Sequence, residues 1–281
     1  MHQQQPRFGC FLTPSANDTG LVATARLAEQ LGLDLIGIQD HPYQRRFHDT
    51  WTLLSFLAAR TDRISLFPDV ANLPLRPPAM LAKAAASLDV LSGGRCELGL
   101  GAGGFWEAIE AYGAERRAPG DALAALREAI EVIRLMWSPD GSARYAGEHY
   151  HLAGAKPGPA PAHAMGIWLG VLGPRALRLV GTHADGWVAS LGFAPPESLA
   201  ERHARIDDAA ASVGRDPAGI RRIYNVGGDL ELQEYVDLLC DLIANHRMDT
   251  IVLGVDGPDG PSVRLRWLAE EVIPRVRSSL G

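Results

Sequence analysis

Four short runs of this sequence bring together residue types that can do chemistry. In Gln39-Asp40-His41-Pro42 a histidine, whose ring gains or loses a proton near neutral pH, follows an acid. His41 reads either as a proton-handling group or as a structural histidine bonded to its loop. Asp40 suits an orienting or loop-capping role better than that of a base. The run Pro68-Asp69-Val70-Ala71-Asn72-Leu73-Pro74 contains an amide, Asn72, that offers a donor and an acceptor to the edge of a heterocycle. On spacing alone, Asn72 beside a proline reads more simply as turn chemistry. Gly99-Leu100-Gly101-Ala102-Gly103-Gly104 formally fits G-x-G-x-x-G, and its glycines let the backbone approach a flat ligand closely. In Gly170-Val171-Leu172-Gly173-Pro174-Arg175 the proline takes a first helical position and opens a helix whose N–H groups can hold a phosphate. Arg175 and Arg178 either add charge there or are solvated helix residues.

Eight apolar stretches read as the strands that carry these runs: 7–12, 34–40, 63–69, 95–101, 167–172, 186–190, 222–226 and 250–255. A helical pattern follows each. The clearest stripe is Leu123, Leu126, Ile130, Ile133 and Trp137; Leu21, Ala25, Ala28 and Leu31 form another. Strands alternating with helices imply right-handed βαβ units and a parallel sheet, and eight such units predict an α/β fold, the (β/α)8 TIM barrel. One domain is expected over residues 1–281. In such barrels chemistry gathers at the C-terminal strand ends, where all four runs fall. A dinucleotide fold would carry the glycine run after its first strand. Here it follows the fourth, and the downstream acid Asp121 begins a helix instead of ending a strand. A proline-rich stretch at about 138–165, between the fourth helix and the fifth strand, predicts a functional insertion or lid, with a small hairpin around Ala146-Gly147.

A net charge of −6 over 281 residues, with no Lys/Arg cluster, argues against nucleic acid or an anionic membrane as the main partner. No apolar run reaches the roughly 18 residues of a membrane span. Cys10, Cys96 and Cys240 lie far apart, which excludes a disulfide framework or a Cys-x-x-Cys metal site. The N-terminal residues lack the pattern of a signal peptide, so a soluble cytoplasmic protein is expected. No metal site is expected either. His149 and His151 sit in the insertion, and Asp40, His41, His48 and Asp49 lack ligand partners from other strands.

Several runs occur in a fixed order: Ala28-Glu29-Gln30-Leu31-Gly32-Leu33-Asp34 leading to Asp40-His41, Asp69-Val70-Ala71-Asn72, Pro74-Leu75-Arg76-Pro77-Pro78, Ser92-Gly93-Gly94-Arg95, Gly99 to Gly103, Trp168 to Gly181, and Ala184-Asp185-Gly186-Trp187. On these the chain resembles the bacterial luciferase-like family of flavin- or deazaflavin-dependent oxidoreductases. The resemblance implies an isoalloxazine-type ring in the barrel mouth, contacted by Asp69, Val70, Asn72 and the Gly101-Ala102-Gly103 backbone. Gly170, Gly173, Pro174 and Arg175 would lie along its phosphate-bearing tail. Relatives often carry a non-proline cis peptide behind the ring; the matching bond is Asp69–Val70, although many relatives have Gly or Ser where this chain has Asp69. His41 matches a histidine that assists proton transfer in some deazaflavin enzymes. Gly104 stands where the family's sugar-phosphate dehydrogenases carry an acid, which argues against their chemistry. Tyr43, Trp51, Phe105 and Trp106 are candidates to meet a flat or apolar small-molecule substrate, or are core. The resemblance favours hydride transfer with deazaflavin coenzyme F420. The alternative is an FMN-dependent monooxygenase; a metal-dependent barrel hydrolase and a cofactor-binding protein without turnover are more distant readings. A homodimer is expected from resemblance.

Overall fold

Short apolar strands close into a barrel only when each finds a parallel neighbour on both sides, and the helices between them cover the outer face. The computed structural model describes residues 5–138, 141–257 and 259–281, so two residues of the insertion, 139 and 140, lie outside the described residues. Its strands are β1 (Arg7–Leu12), β2 (Leu35–Ile38), β3 (Ser65–Pro68), β4 (Ala71–Asn72), β5 (Leu98–Gly101), β6 (Ala143–Ala146), β7 (His151–Ala155), β8 (Ile167–Gly170), β9 (Gly186–Ser190), β10 (Arg221–Val226) and β11 (Thr250–Gly254). The helices are α1 (Leu21–Gln30), α2 (Thr50–Ala58), α3 (Pro78–Ser92), α4 (Trp106–Ala111), α5 (Pro119–Met136), α6 (Pro174–His183), α7 (Leu199–Ser212), α8 (Leu232–Ala244), α9 (Pro261–Trp267) and α10 (Ile273–Leu280).

The parallel order β3-β2-β1-β11-β10-β9-β8-β5-β4 is an α/β TIM-barrel arrangement. β3 and β4 are halves of one barrel strand. β3 pairs with β2, β4 pairs with β5, and between them lies a cis peptide bond, Asp69–Val70. An unbroken third strand over 63–69 is therefore corrected to two segments. Asn72, which spacing alone assigns to a turn, lies in β4 opposite Gly101.

Side chains along a strand alternate between the barrel interior and the helices. One interior layer is apolar: Leu35, Phe67, Trp168, Val188, Ile223 and Val252 pack together, with the Phe67 and Trp168 rings 5.1 Å apart edge to face. Two residues further along the same strands stand Gly37, Asp69, Gly170, Ser190, Asn225 and Gly254. The core thus ends in a layer of glycines and polar groups, and the barrel opens at its C-terminal face.

The insertion forms the expected hairpin, β6 against β7, but it is not a lid. Buried Glu128 on α5 accepts the N–H groups of Glu148, His149 and Tyr150 at 2.9, 2.9 and 3.1 Å, which docks the hairpin tip on the outside of the barrel. At its other end Asp89 on α3 accepts from Ala162 N and bonds His163 Nδ1 at 2.9 Å. Among the described residues, none of the insertion lines the mouth cavity.

Candidate active site

The mouth deepens on one side, between the ends of β2, β4, β5 and β8, into a cavity of about 370 Å³. Glycine makes this wall possible. A Cβ on Gly101 or Gly170 would meet Val70 Cγ2 at 2.9 or 2.8 Å, so these two positions accept the Val70 side chain only without one of their own. Gly103 adds a φ of +95°, a left-handed value that favours glycine. Gly101, Ala102 and Gly103 therefore present backbone to the cavity, with Val70 as its back wall.

A buried ionic clasp positions the opposite side. Asp40, 1% exposed at the end of β2, accepts the Asn72 backbone N–H at 2.9 Å and a two-pronged bond from Arg76, 2.7 Å from Nε and 2.8 Å from Nη2. Arg76 Nη2 also reaches Asp49 at 2.7 Å, and Asp49 caps α2 by accepting Thr52 N–H. One guanidinium thus ties together the ends of β2 and β4 and the start of α2. Asp40 is an orienting group. Buried Asn72 lines the cavity, and its Oδ1 has no partner among the described residues.

His41 and Tyr43 face the same cavity, with His41 Nδ1 hydrogen-bonded to the Tyr43 hydroxyl at 2.6 Å. The Phe105 ring meets His41 edge-on at 5.4 Å. Burial pushes the His41 pKa below its ordinary value, outweighing the pull of the Asp40 charge, and leaves a neutral imidazole near neutral pH. Tyr43 is pushed up to about 12, first by burial and then by Asp40, so its phenol stays protonated. When that phenol donates to Nδ1, the His41 proton resides on Nε2.

Of the residues singled out in the sequence, His41, Tyr43, Val70, Asn72, Gly101, Ala102, Gly103, Phe105 and Gly170 come together around this one cavity. Others do not. Trp51 is buried in the packing of α2, and Trp106 opens α4; neither lines the cavity. Asp69 lies inside the barrel beneath Val70 instead of on the wall. Gly173 and Pro174 start α6, whose Ala176 does reach the cavity. Arg175 lines a separate outer groove between α5 and α6 with Arg127, Arg178 and His183. Sequence reasoning did not single out Ala71, Val171, Leu172 and Ala176 on the wall, or the partnership of Arg76 with Asp40, whereas Gly104, part of the glycine run, does line it. The wall residues are small or aliphatic and carry no chemical signature. Arg76 was visible only as part of a motif.

A family model described as luciferase-like monooxygenase matches residues 5–227. The 5,10-methylenetetrahydromethanopterin reductase of Archaeoglobus fulgidus is 33% identical over 98% of this chain and 78% of its own length. An F420-dependent glucose-6-phosphate dehydrogenase of Amycolatopsis mediterranei is 32% identical over 61% of this chain, and the match spans about half, 53%, of that relative. Among solved structures, an F420-dependent secondary alcohol dehydrogenase in complex with an F420–acetone adduct superposes with a TM-score of 0.84 at 18% identity, covering 98% of this chain and all of that one.

Proposed function

Because the chain belongs to the luciferase-like monooxygenase family, we propose that it is an oxidoreductase that transfers a hydride between deazaflavin coenzyme F420 and an organic substrate. One observation carries this reading: Asn72, whose buried Oδ1 has no partner among the described residues, lines a glycine-walled cavity that also holds a neutral histidine. The residues fit a flat ring. The backbone of Gly101 to Gly103 and the Val70 side chain offer a close apolar face, and Asn72 offers an acceptor for an N–H on a ring edge.

When bound, the deazaflavin supplies hydride transfer at a carbon centre. The protein holds Asn72 in place through the Asp40–Arg76 clasp, and β4 pairs in turn with β5 at Gly101, so that the ring meets a preformed surface. His41 holds or takes the proton that accompanies hydride movement, and Tyr43 fixes its tautomer. The start of α6, where Pro174 follows Gly173, offers the N–H groups of Gly173, Arg175 and Ala176 to a phosphate on the cofactor tail. Phe105, 62% exposed, with Tyr43 and Leu172 at the rim, suits a flat or apolar substrate. We further infer a homodimer, supported by Phe56 on α2 and Met80, Val90 and Leu91 on α3, which are exposed apolar side chains. No described helix is long and apolar enough to cross a membrane.

The deciding experiment is a titration of the purified protein with oxidised F420 and, separately, with FMN. Tight binding of F420 alone supports hydride transfer. A preference for FMN moves the protein to the oxygen-activating branch, where oxygen consumption is the next assay.

A further inference from the structure

Three neighbouring strands of the barrel each lead into a loop that carries a large apolar side chain into solvent. In the spatial order β5-β8-β9 these are Phe105, Leu172 (39% exposed) and Phe193 (68% exposed), all at the C-terminal face. Phe105 and Leu172 also line the mouth cavity, so the exposed apolar surface begins inside the site and continues out of it. The loops leaving β10 and β11 expose no large apolar side chain among the described residues and carry Asp229, Asp256 and Asp259 instead. The rim is polarised.

Local bonds hold its apolar side in place. Arg202 on α7 donates from Nη1 to the Leu172 carbonyl at 2.7 Å and from Nε to Ser198 Oγ at 3.1 Å, which ties the loop after β8 to the segment that follows Phe193. The hydroxyl of buried Tyr224 on β10 donates to the Ala194 carbonyl at 2.6 Å. Ala194 is itself buried, so an anchored neighbour keeps the exposed Phe193 at the surface.

We propose that the substrate bears an alkyl chain that leaves the cavity past Phe105 and Leu172 and lies over Phe193. This deepens, and rests on, reading the cavity as the place where cofactor ring and substrate meet.

A single exposed apolar residue needs no explanation, whereas several on adjoining loops at a cavity mouth mark a surface that a ligand covers. Continuity with the cavity identifies that ligand as the substrate. The cavity, about 370 Å³, is at the small end of the roughly 300–1,000 Å³ of ligand pockets, and a cofactor ring takes part of it. What is left suits the reacting end of a substrate, and the remainder crosses the rim. On the side of β8 and β9 an apolar chain gains by removing Leu172 and Phe193 from water; over the aspartates it gains nothing. None of these side chains offers a hydrogen bond, so this shelf reads apolar length and no polar pattern.

Calorimetric titration of the full chain, saturated with oxidised F420, with 2-butanone, 2-hexanone, 2-octanone and 2-decanone reads the shelf without turnover. A fully buried methylene is worth about fourfold in affinity, so a shelf that covers one side of the chain should give about twofold per methylene, or about 60-fold across the series. Phe193→Ser, and the double variant Leu172→Ser/Phe193→Ser still more, should flatten that slope for the longer ketones. Val263→Ser, which removes an exposed apolar side chain on α9, should keep it. A wild type without the slope, or a slope that survives the double variant, overturns the proposal. So does self-association in sedimentation that Phe193→Ser abolishes, because a second copy would then be the cover. Failure of F420 to bind overturns instead the cofactor reading, and the same ketones titrated into the FMN-loaded or free chain still test the shelf.

Discussion

Among the described residues His41 has one hydrogen-bonding partner, Tyr43, and burial keeps its ring neutral, so a proton can be exchanged at its other nitrogen without breaking up the site. General acid–base help of this kind contributes about 10² to 10⁴ in rate. His41→Asn is expected to lower turnover by an amount in that range while cofactor affinity changes by no more than about threefold, because the glycine backbone and Asn72 make the ring surface. The pH profile gives a second readout. A histidine with a lowered pKa places its acid limb below the ordinary value of 6.5, and that limb should vanish in His41→Asn. Comparing kcat and cofactor Kd in the two proteins checks both points, and an unchanged kcat would make His41 a structural residue.

At the scale of elements, Arg76 is the tie. Its side chain is 19% exposed, whereas that of Asp40 is fully buried. Arg76→Met strands a buried carboxylate, and breaking such a pair costs about 3–5 kcal/mol. Urea unfolding should show that loss, and Asp40→Asn in the same chain should restore part of it. The start of α6 allows a cleaner test of ligand approach. Nothing stands within 4 Å of a Cβ at Gly173, and its φ of −70° suits any residue. Gly173→Val should therefore fold normally yet weaken cofactor binding if backbone N–H groups meet a phosphate there; equal affinity removes that assignment. These elements also show what a sequence can and cannot reveal. The helices announce themselves through spacing: Leu126, Ile130 and Ile133, picked out by period, are buried on α5. The glycines and His41 are legible because strand ends in a barrel are where chemistry collects. The Asp40–Arg76 pair is not, since its partners lie far apart in the chain and only closure of the barrel brings them together. Asp69 stands out by its type, but its partner Asn225 belongs to a strand across the barrel.

Across the whole molecule, two buried groups pull stability in opposite directions with pH. His203 on α7 is buried and accepts at Nδ1 from Arg222 Nε at 3.0 Å. Burial first, then the charges of Arg222 and Arg247, push its pKa down to about 4 from 6.5. Between these values the unfolded chain binds a proton that the fold refuses, so the stability His203 contributes is present above pH 6.5 and is lost as pH falls toward 4. Asp69, raised from 3.8 to about 7, does the reverse: the fold keeps a proton that the unfolded chain releases, and stability falls as pH rises through that window. The two slopes, each approaching about 1.4 kcal/mol per pH unit, largely cancel between pH 5 and 6.5 in the cofactor-free protein. Single variants should expose them. Relative to wild type, Asp69→Asn should become more stable as pH rises from 5 to 6.5, and His203→Gln less stable, because each removes one slope and leaves every other titrating group in common. Urea midpoints at pH 5, 5.75 and 6.5 decide the matter. If all three proteins keep parallel pH curves, neither group is held in its neutral form by the fold.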